Sequence, residues 1–193
     1  MDEVDVEELL GDHPSLMALH PFLAMASDVR WFRALGEHAG ALIEDLATDY
    51  GMALGFTDIY PAALTDWYDA ADAVESLDMN SPAWEAEEQL RAGLAQDLVQ
   101  MVGEDVAVML MTHISGTLAA SIEAGAIEAA EYLRIDDDAF LRAAMGAAVQ
   151  ATHQAAMVIL TGQGEEHPFA KKFALFEAGR WPLGVAGNSL LIF

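Results

Sequence analysis

Ala143–Gly164, AAMGAAVQATHQAAMVILTGQG, runs for 22 residues without a charged side chain. Three aspartates at 136–138 precede it, and carboxylates at the start of a helix stabilise its free backbone amides. The pattern predicts a long helix that ends near Leu160. Its length is close to that of a membrane span, but five polar residues interrupt it: Gln150, Thr152, His153, Gln154 and Gln163. We therefore predict a buried core helix, whose alanines and glycines let a neighbour approach closely.

Upstream lies a second uncharged stretch, Val106–Ile122. Because it is apolar on all sides, it predicts a central helix that its neighbours bury. A β-strand over Val106–Met111 is the alternative, since a short apolar run fits either structure. A further helix is predicted over Ile127–Arg134.

Helix start and stop signals predict the remaining helices. Ser27 is a candidate N-cap for a helix that reaches about Gly51. A second helix is expected from Tyr60-Pro61 to Leu77, and a third from Ser81-Pro82 to Gly103. His167-Pro168 predicts a short basic helix over Phe169–Ala178, which Gly179 ends.

The C-terminal segment changes character, because two short apolar runs flank Gly187-Asn188 within residues 181–193. This pattern is typical of a β-hairpin. The predicted fold is therefore mainly α: a bundle of six or seven helices around a central apolar helix, closed by a small hairpin. We expect residues 1–12 to be an acidic lead, poorly ordered or with one helical turn, and residues 13–193 to form a single helical domain.

The composition excludes several classes of protein. The chain carries 32 acidic and eight basic residues, a net charge of −24, yet 54% of its residues are hydrophobic. An acidic disordered chain is too polar to match this composition. The absence of cysteine excludes disulfides, cysteine-based metal sites and thiol catalysis.

The acidic excess also restricts the partners. Neither nucleic acid nor an anionic membrane is an expected direct partner, because both bind proteins through lysine and arginine. The first residues, MDEVDVEE, lack the basic and apolar regions of a secretion signal. We therefore expect a cytoplasmic protein.

The acid is unevenly distributed. Residues 35–163 hold 22 acidic side chains against three arginines, whereas residues 164–193 hold three of each sign. We expect Lys171, Lys172 and Arg180 to pair with the chain's own acids. The second and third predicted helices carry an acidic face with almost no interleaved cation: Asp66, Asp69, Asp72, Glu75, Glu85, Glu87 and Glu88. Such a face destabilises a protein through like-charge repulsion, which a basic partner would relieve.

Two histidines form a different candidate site. His113 and His153 each follow a threonine within a long uncharged run, and Ser115 and Thr152 stand close to them in sequence. If the two helices pack together, both imidazoles could share one polar pocket for a ligand, a metal or acid–base chemistry. The structural alternative is a pair of core histidines that hydrogen-bond their neighbours.

Catalytic motifs are absent from the sequence: it has no Gly-x-Ser-x-Gly, no phosphate-binding glycine loop, no dinucleotide fingerprint and no Glu-x-x-His of carboxylate-bridged metal bundles. We therefore expect no cofactor and no metal, and a binding protein rather than an enzyme. The first hypothesis is an inhibitor, immunity-type protein or nucleic-acid mimic that blocks a basic protein. The alternative is a helical enzyme or ligand-binding protein that uses the histidine pocket. A third hypothesis is a structural subunit that self-associates through an apolar patch.

Overall fold

The structure, a computed structural model, describes residues 13–193, so the acidic lead predicted at residues 1–12 lies outside it. In this part of the chain, a short 3-10 helix at Pro14–Ala18 is followed by seven α-helices. They are α1 (Leu19–Ser27), α2 (Ala41–Ala53), α3 (Trp67–Glu75), α4 (Pro82–Val102), α5 (Glu104–Leu133), α6 (Asp138–Leu160) and α7 (Pro168–Glu177). Three short strands, β1 (Tyr60–Ala63), β2 (Pro182–Ala186) and β3 (Ser189–Ile192), form one sheet. The predicted mainly helical fold with a C-terminal hairpin is confirmed.

Helix α6 is buried in the core, as its uncharged sequence predicts, and it rather than the stretch at 106–122 lies at the centre of the bundle. The carboxylate of Asp137 accepts a hydrogen bond from the Ala139 amide at 2.8 Å and so caps the helix. Phe140, Ala144, Ala148 and Leu160 are fully buried. The helix packs against α4, α5 and α7, and its small side chains leave room for these neighbours.

Helix α5 corrects the prediction for the other uncharged stretch. The strand alternative does not form, and the two predicted segments join into one helix of 30 residues. It is not buried on all sides: Val108 is 61% exposed and Met109 is 58% exposed. One stripe, which includes Ile114, Leu118 and Ile122, faces the core, and no element covers the opposite face in the described chain. The apolar composition of residues 106–122 therefore predicts more burial than α5 has in the fold.

By length and composition alone, α5 and α6 could each cross a membrane, a test that core helices of soluble proteins also pass. Their most apolar windows are 22% and 56% buried, respectively.

The helix predicted from Ser27 to about Gly51 is confirmed only in its second half, as α2, and is wrong at its start. Ser27 instead ends α1, and its hydroxyl donates to the Leu23 carbonyl at 2.8 Å. Turns follow until α2 begins at Ala41, and Phe32 has a φ of +61°. This strained backbone places Phe32 and Leu35 in the core, 1% and 2% exposed. Burial of large side chains therefore outweighs the local helical pattern.

The helix predicted from Tyr60 to Leu77 is also wrong at its start. Residues 60–63 form β1, which pairs in parallel with β3, and α3 begins only at Trp67. The Asp66 carboxylate caps α3 by accepting hydrogen bonds from the amides of Tyr68 and Asp69. The free edge of β3 offers backbone partners, so the Leu64 amide bonds the Ile192 carbonyl at 2.7 Å. The sequence around residues 60–63 does not predict this pairing, because the partner strand is distant in the chain.

The other boundaries agree with the prediction. Ser81 caps α4, and α4 ends at Gly103, whose φ of +83° favours glycine. His167 caps α7, which ends before Gly179 at a φ of +81°. The last residues pack inside as a hairpin, and Phe193 is fully buried.

Candidate functional site

The predicted acidic face is partly exposed and partly paired. Asp66, Asp69, Asp72 and Glu75 of the α3 region and Glu85 of α4 are exposed. Asp69, Asp72 and Glu75 recur every three residues along α3, which keeps them near one side of the helix. Asp66 has a local role as the α3 cap. None of the five takes part in an ion pair within residues 13–193.

Glu87 and Glu88 differ from these five because both have cationic partners. Glu87 lies 2.6 Å from the Lys172 ammonium, with both side chains less than a fifth exposed, and it also accepts a hydrogen bond from the Tyr50 hydroxyl. Arg91 donates two hydrogen bonds to Glu88, at 2.6 and 3.1 Å, which lowers the pKa of Glu88. The acidic face proper, exposed and without ion pairs in the described chain, therefore consists of Asp66, Asp69, Asp72, Glu75 and Glu85.

The three cations of the C-terminal segment pair internally, as the sequence predicts. Lys171 lies 3.1 Å from Glu166 and Lys172 binds Glu87. Arg180 is 3.9 Å from the Glu37 carboxylate and donates to the Glu37 and His38 carbonyls at 2.6 and 2.8 Å. These cations are therefore engaged elsewhere and do not neutralise the acidic face.

The structure brings His153 and Ser115 together and leaves His113 apart. The Nε2 atom of His153 lies 2.8 Å from the Ser115 hydroxyl and 3.1 Å from the Met111 carbonyl. His113 is exposed. Side chains two residues apart on an α-helix are separated by about 200° around the helix axis, so His113 points away from the side of α5 on which Ser115 contacts His153. Thr152 is buried, and its hydroxyl donates to the Ala148 carbonyl at 2.7 Å.

His153 lies at the base of a shallow apolar groove between α4 and α5, with a volume of about 300 Å³. Val99, Val108 and Met111 line it. Burial lowers the pKa of His153, and the hydrogen bond to the Met111 carbonyl opposes this effect. The arrangement favours a neutral imidazole at neutral pH. Within residues 13–193, no three acidic or histidine side chains lie close enough to hold a metal ion.

A second cavity was not predicted. This cleft, of about 320 Å³, lies between one face of α6 and the residues around α4, α7 and β2. Its floor is formed by Ala143, Gly146, Ala147 and Ala151 of α6. Their spacing of three and four residues places them on one helix face, a pattern that the sequence contains and that predicts close packing as well as a cleft.

The cleft has aromatic walls and a polar buried end. Trp84 and Trp181 line it together with the Glu87–Lys172 pair. At its buried end Gln154 is 2% exposed, and its Oε1 atom has no hydrogen-bond partner among the described residues. A buried carbonyl without a donor is unfavourable, so this end of the cleft suits a group that donates a hydrogen bond.

Comparisons with known proteins give no relative, since no protein-family model, curated protein or solved structure matches this chain.

Proposed function

We propose that the protein acts by binding a basic partner protein through the acidic face. One observation carries this proposal: five carboxylates stay exposed without ion pairs within residues 13–193, while the C-terminal cations that could neutralise them are engaged elsewhere. Exposed like charges repel each other, and a basic surface relieves that repulsion.

The form that we propose is an antagonist of a nucleic-acid-binding protein, acting as an inhibitor, immunity protein or nucleic-acid mimic does. Such a partner carries a basic groove that neutralises phosphates. Rows of exposed carboxylates on α3 and at the start of α4 would occupy that groove. Complementary charge accelerates association and makes it sensitive to salt.

The test compares two variants that remove equal charge. The face variant carries Asp69→Asn, Asp72→Asn and Glu75→Gln, and the control carries Glu123→Gln, Glu128→Gln and Glu131→Gln on the exposed surface of α5. Proteins are captured from the native cell at low salt and eluted by salt. We expect basic proteins to be retained by the wild type and the control but lost by the face variant. An equal loss of captured basic proteins from both variants, or binding that does not weaken as the salt concentration rises, would contradict the proposal.

The second candidate function is association of two copies through α5. The uncharged stretch at 106–122 leaves Val108 and Met109 largely exposed. In a chain with a net charge of −24, two copies can meet at this face without apposing carboxylates. Sedimentation should then show a dimer that Met109→Glu dissociates and that Glu123→Gln does not; a monomer at all concentrations rules this candidate out.

A further inference from the structure

The aromatic cleft beside α6 has no role in the proposed binding of a basic protein through the acidic face. We propose that this cleft binds an organic cation, an ammonium group carried on an apolar or aromatic body. Its shape, its buried polar end and its charge each favour this ligand class.

The shape of the cleft is set by the small side chains of α6. A Cβ atom added at Gly146 would meet no described residue within 4 Å, so the floor is open above this residue. A volume of about 320 Å³ is within the range of small-ligand pockets. The Trp84 and Trp181 side chains supply aromatic surface, and tryptophan is the side chain that attracts organic cations best.

The buried end lacks a donor among the described residues. Within them the Gln154 Oε1 atom has no hydrogen-bond partner, and Gln154 lies one turn beyond Gln150, which also lines the cleft. An ammonium group is purely a donor, so it would satisfy this carbonyl without introducing an unpaired acceptor. A carboxylate or phosphate ligand would face the carbonyl oxygen with like partial charge.

The charges that line the cleft balance, so the preference for a cation comes from how they are paired and from the charge of the whole chain. Three carboxylates, Asp78, Glu87 and Glu88, line it with two cations, Arg142 and Lys172, and Arg91 pairs with Glu88. Lys172 is already held by Glu87 at 2.6 Å, so an anionic ligand would have to displace that carboxylate. The net charge of −24 raises the local concentration of cations further.

The direct experiment titrates the full chain with three probes of one shape: benzylammonium, benzyl alcohol and benzoate. Calorimetry should show benzylammonium binding at least about tenfold more tightly than the other two, a ratio that one charge-assisted hydrogen bond can produce. Benzoate binding as tightly as benzylammonium overturns the proposal. So does the absence of benzylammonium binding at about 10 mM, where a site for this class should fill.

Two variants locate the binding. Gly146→Leu fills open space in the cleft and also favours the helix, so it should fold and weaken benzylammonium binding at least about tenfold. Gly93→Leu, an exposed glycine of α4 with equal open space, is the matched control and should leave binding unchanged. An equal effect of both variants places binding outside the cleft.

Gln154→Met tests the buried end. It removes the unpaired carbonyl, so the melting temperature should rise while benzylammonium binding falls about fivefold or more. Unchanged binding excludes a role for this amide and overturns the proposed orientation of the ligand.

Two further measurements distinguish a free amine from a partner's lysine as the source of the cation, and distinguish the cleft proposal from the acidic-face proposal. The blocked lysine Nα-acetyl-lysine methylamide represents a partner's side chain, whereas benzylammonium represents a free amine, and the tighter of the two identifies the source. The acidic-face variant at 69, 72 and 75 should bind benzylammonium normally. The cleft can therefore fail this test while the acidic face passes its own, and the reverse also holds.

Discussion

Glu87 connects three elements of the fold through a single carboxylate. It accepts a hydrogen bond from the Tyr50 hydroxyl of α2 and pairs with Lys172 of α7 at 2.6 Å. Burial and the Glu87 charge raise the pKa of Tyr50 well above its usual value, so the phenol stays a donor. Removing Lys172 would leave a largely buried carboxylate with Tyr50 as its single donor among residues 13–193.

A double-mutant cycle tests this pair. Lys172→Met should lower the free energy of unfolding by about 1–3 kcal/mol, because the remaining charge is poorly solvated. Adding Glu87→Gln should recover part of the loss, with a coupling of about 1–2 kcal/mol. Urea denaturation of the four proteins measures it, and strictly additive effects would show that the pair contributes no interaction energy.

His153 makes stability depend on pH. Burial holds its folded pKa below the unfolded value, so the unfolded chain takes up a proton first as the pH falls. The contribution of His153 is therefore present above about pH 6.5 and is lost below it. His153→Gln, which keeps a polar partner for Ser115, should lose less stability than the wild type between about pH 7.5 and pH 5. Parallel stability curves for the two proteins would contradict this assignment.

At the scale of elements, two glycines of α5 look alike in sequence but not in the fold. A Cβ at Gly125 would lie 2.7 Å from the Trp31 Cβ and 2.9 Å from the Trp31 carbonyl oxygen, whereas a Cβ at Gly116 would meet nothing within 4 Å. Gly125 therefore lets the strained segment around Phe32 pack closely on α5.

Alanine at each position provides the test. Gly116→Ala should stabilise the protein by roughly 1 kcal/mol through helix propensity. Gly125→Ala should destabilise it by roughly 1–3 kcal/mol, because overpacking outweighs that gain. Thermal unfolding of both variants measures the difference. Stabilisation by Gly125→Ala would show that the turns between α1 and α2 can shift to accept the added methyl group at little cost.

At the scale of the whole molecule, a net charge of −24 acts on the folded state more than on the expanded unfolded chain. The four ion pairs of residues 13–193 engage only a few of the acids. Self-repulsion is therefore the dominant long-range electrostatic term, and salt should screen it.

We expect the melting temperature to rise by several degrees between about 10 mM and 300 mM sodium chloride. Potassium chloride should act equally, since screening depends on ionic strength, and the acidic-face variant should show a smaller rise. A melting temperature that falls with salt would mean that ion pairs such as Glu87–Lys172 outweigh the repulsion.

Local signals predicted much of the fold. Asp137, Ser81 and Gly179 mark helix ends through hydrogen bonds or backbone angles that involve only nearby residues. Ser27 and Tyr60 misled the prediction, because distant residues decide their structure. The acidic face followed directly from residue spacing, but the pairing of Glu87 and Glu88 with cations could be seen only partly, since Lys172 is 85 residues away from Glu87.

The sequence by itself determined the helical class, the core helix over residues 138–160, the closing hairpin and the excess of surface acid, because periodicity, caps and charge are properties of neighbouring residues. Only the tertiary structure decided the parallel strand at residues 60–63, the exposed side of α5, the separation of His113 from His153 and the aromatic cleft. Each of these depends on which surfaces meet, and such contacts are settled by the free energy of the whole packed chain.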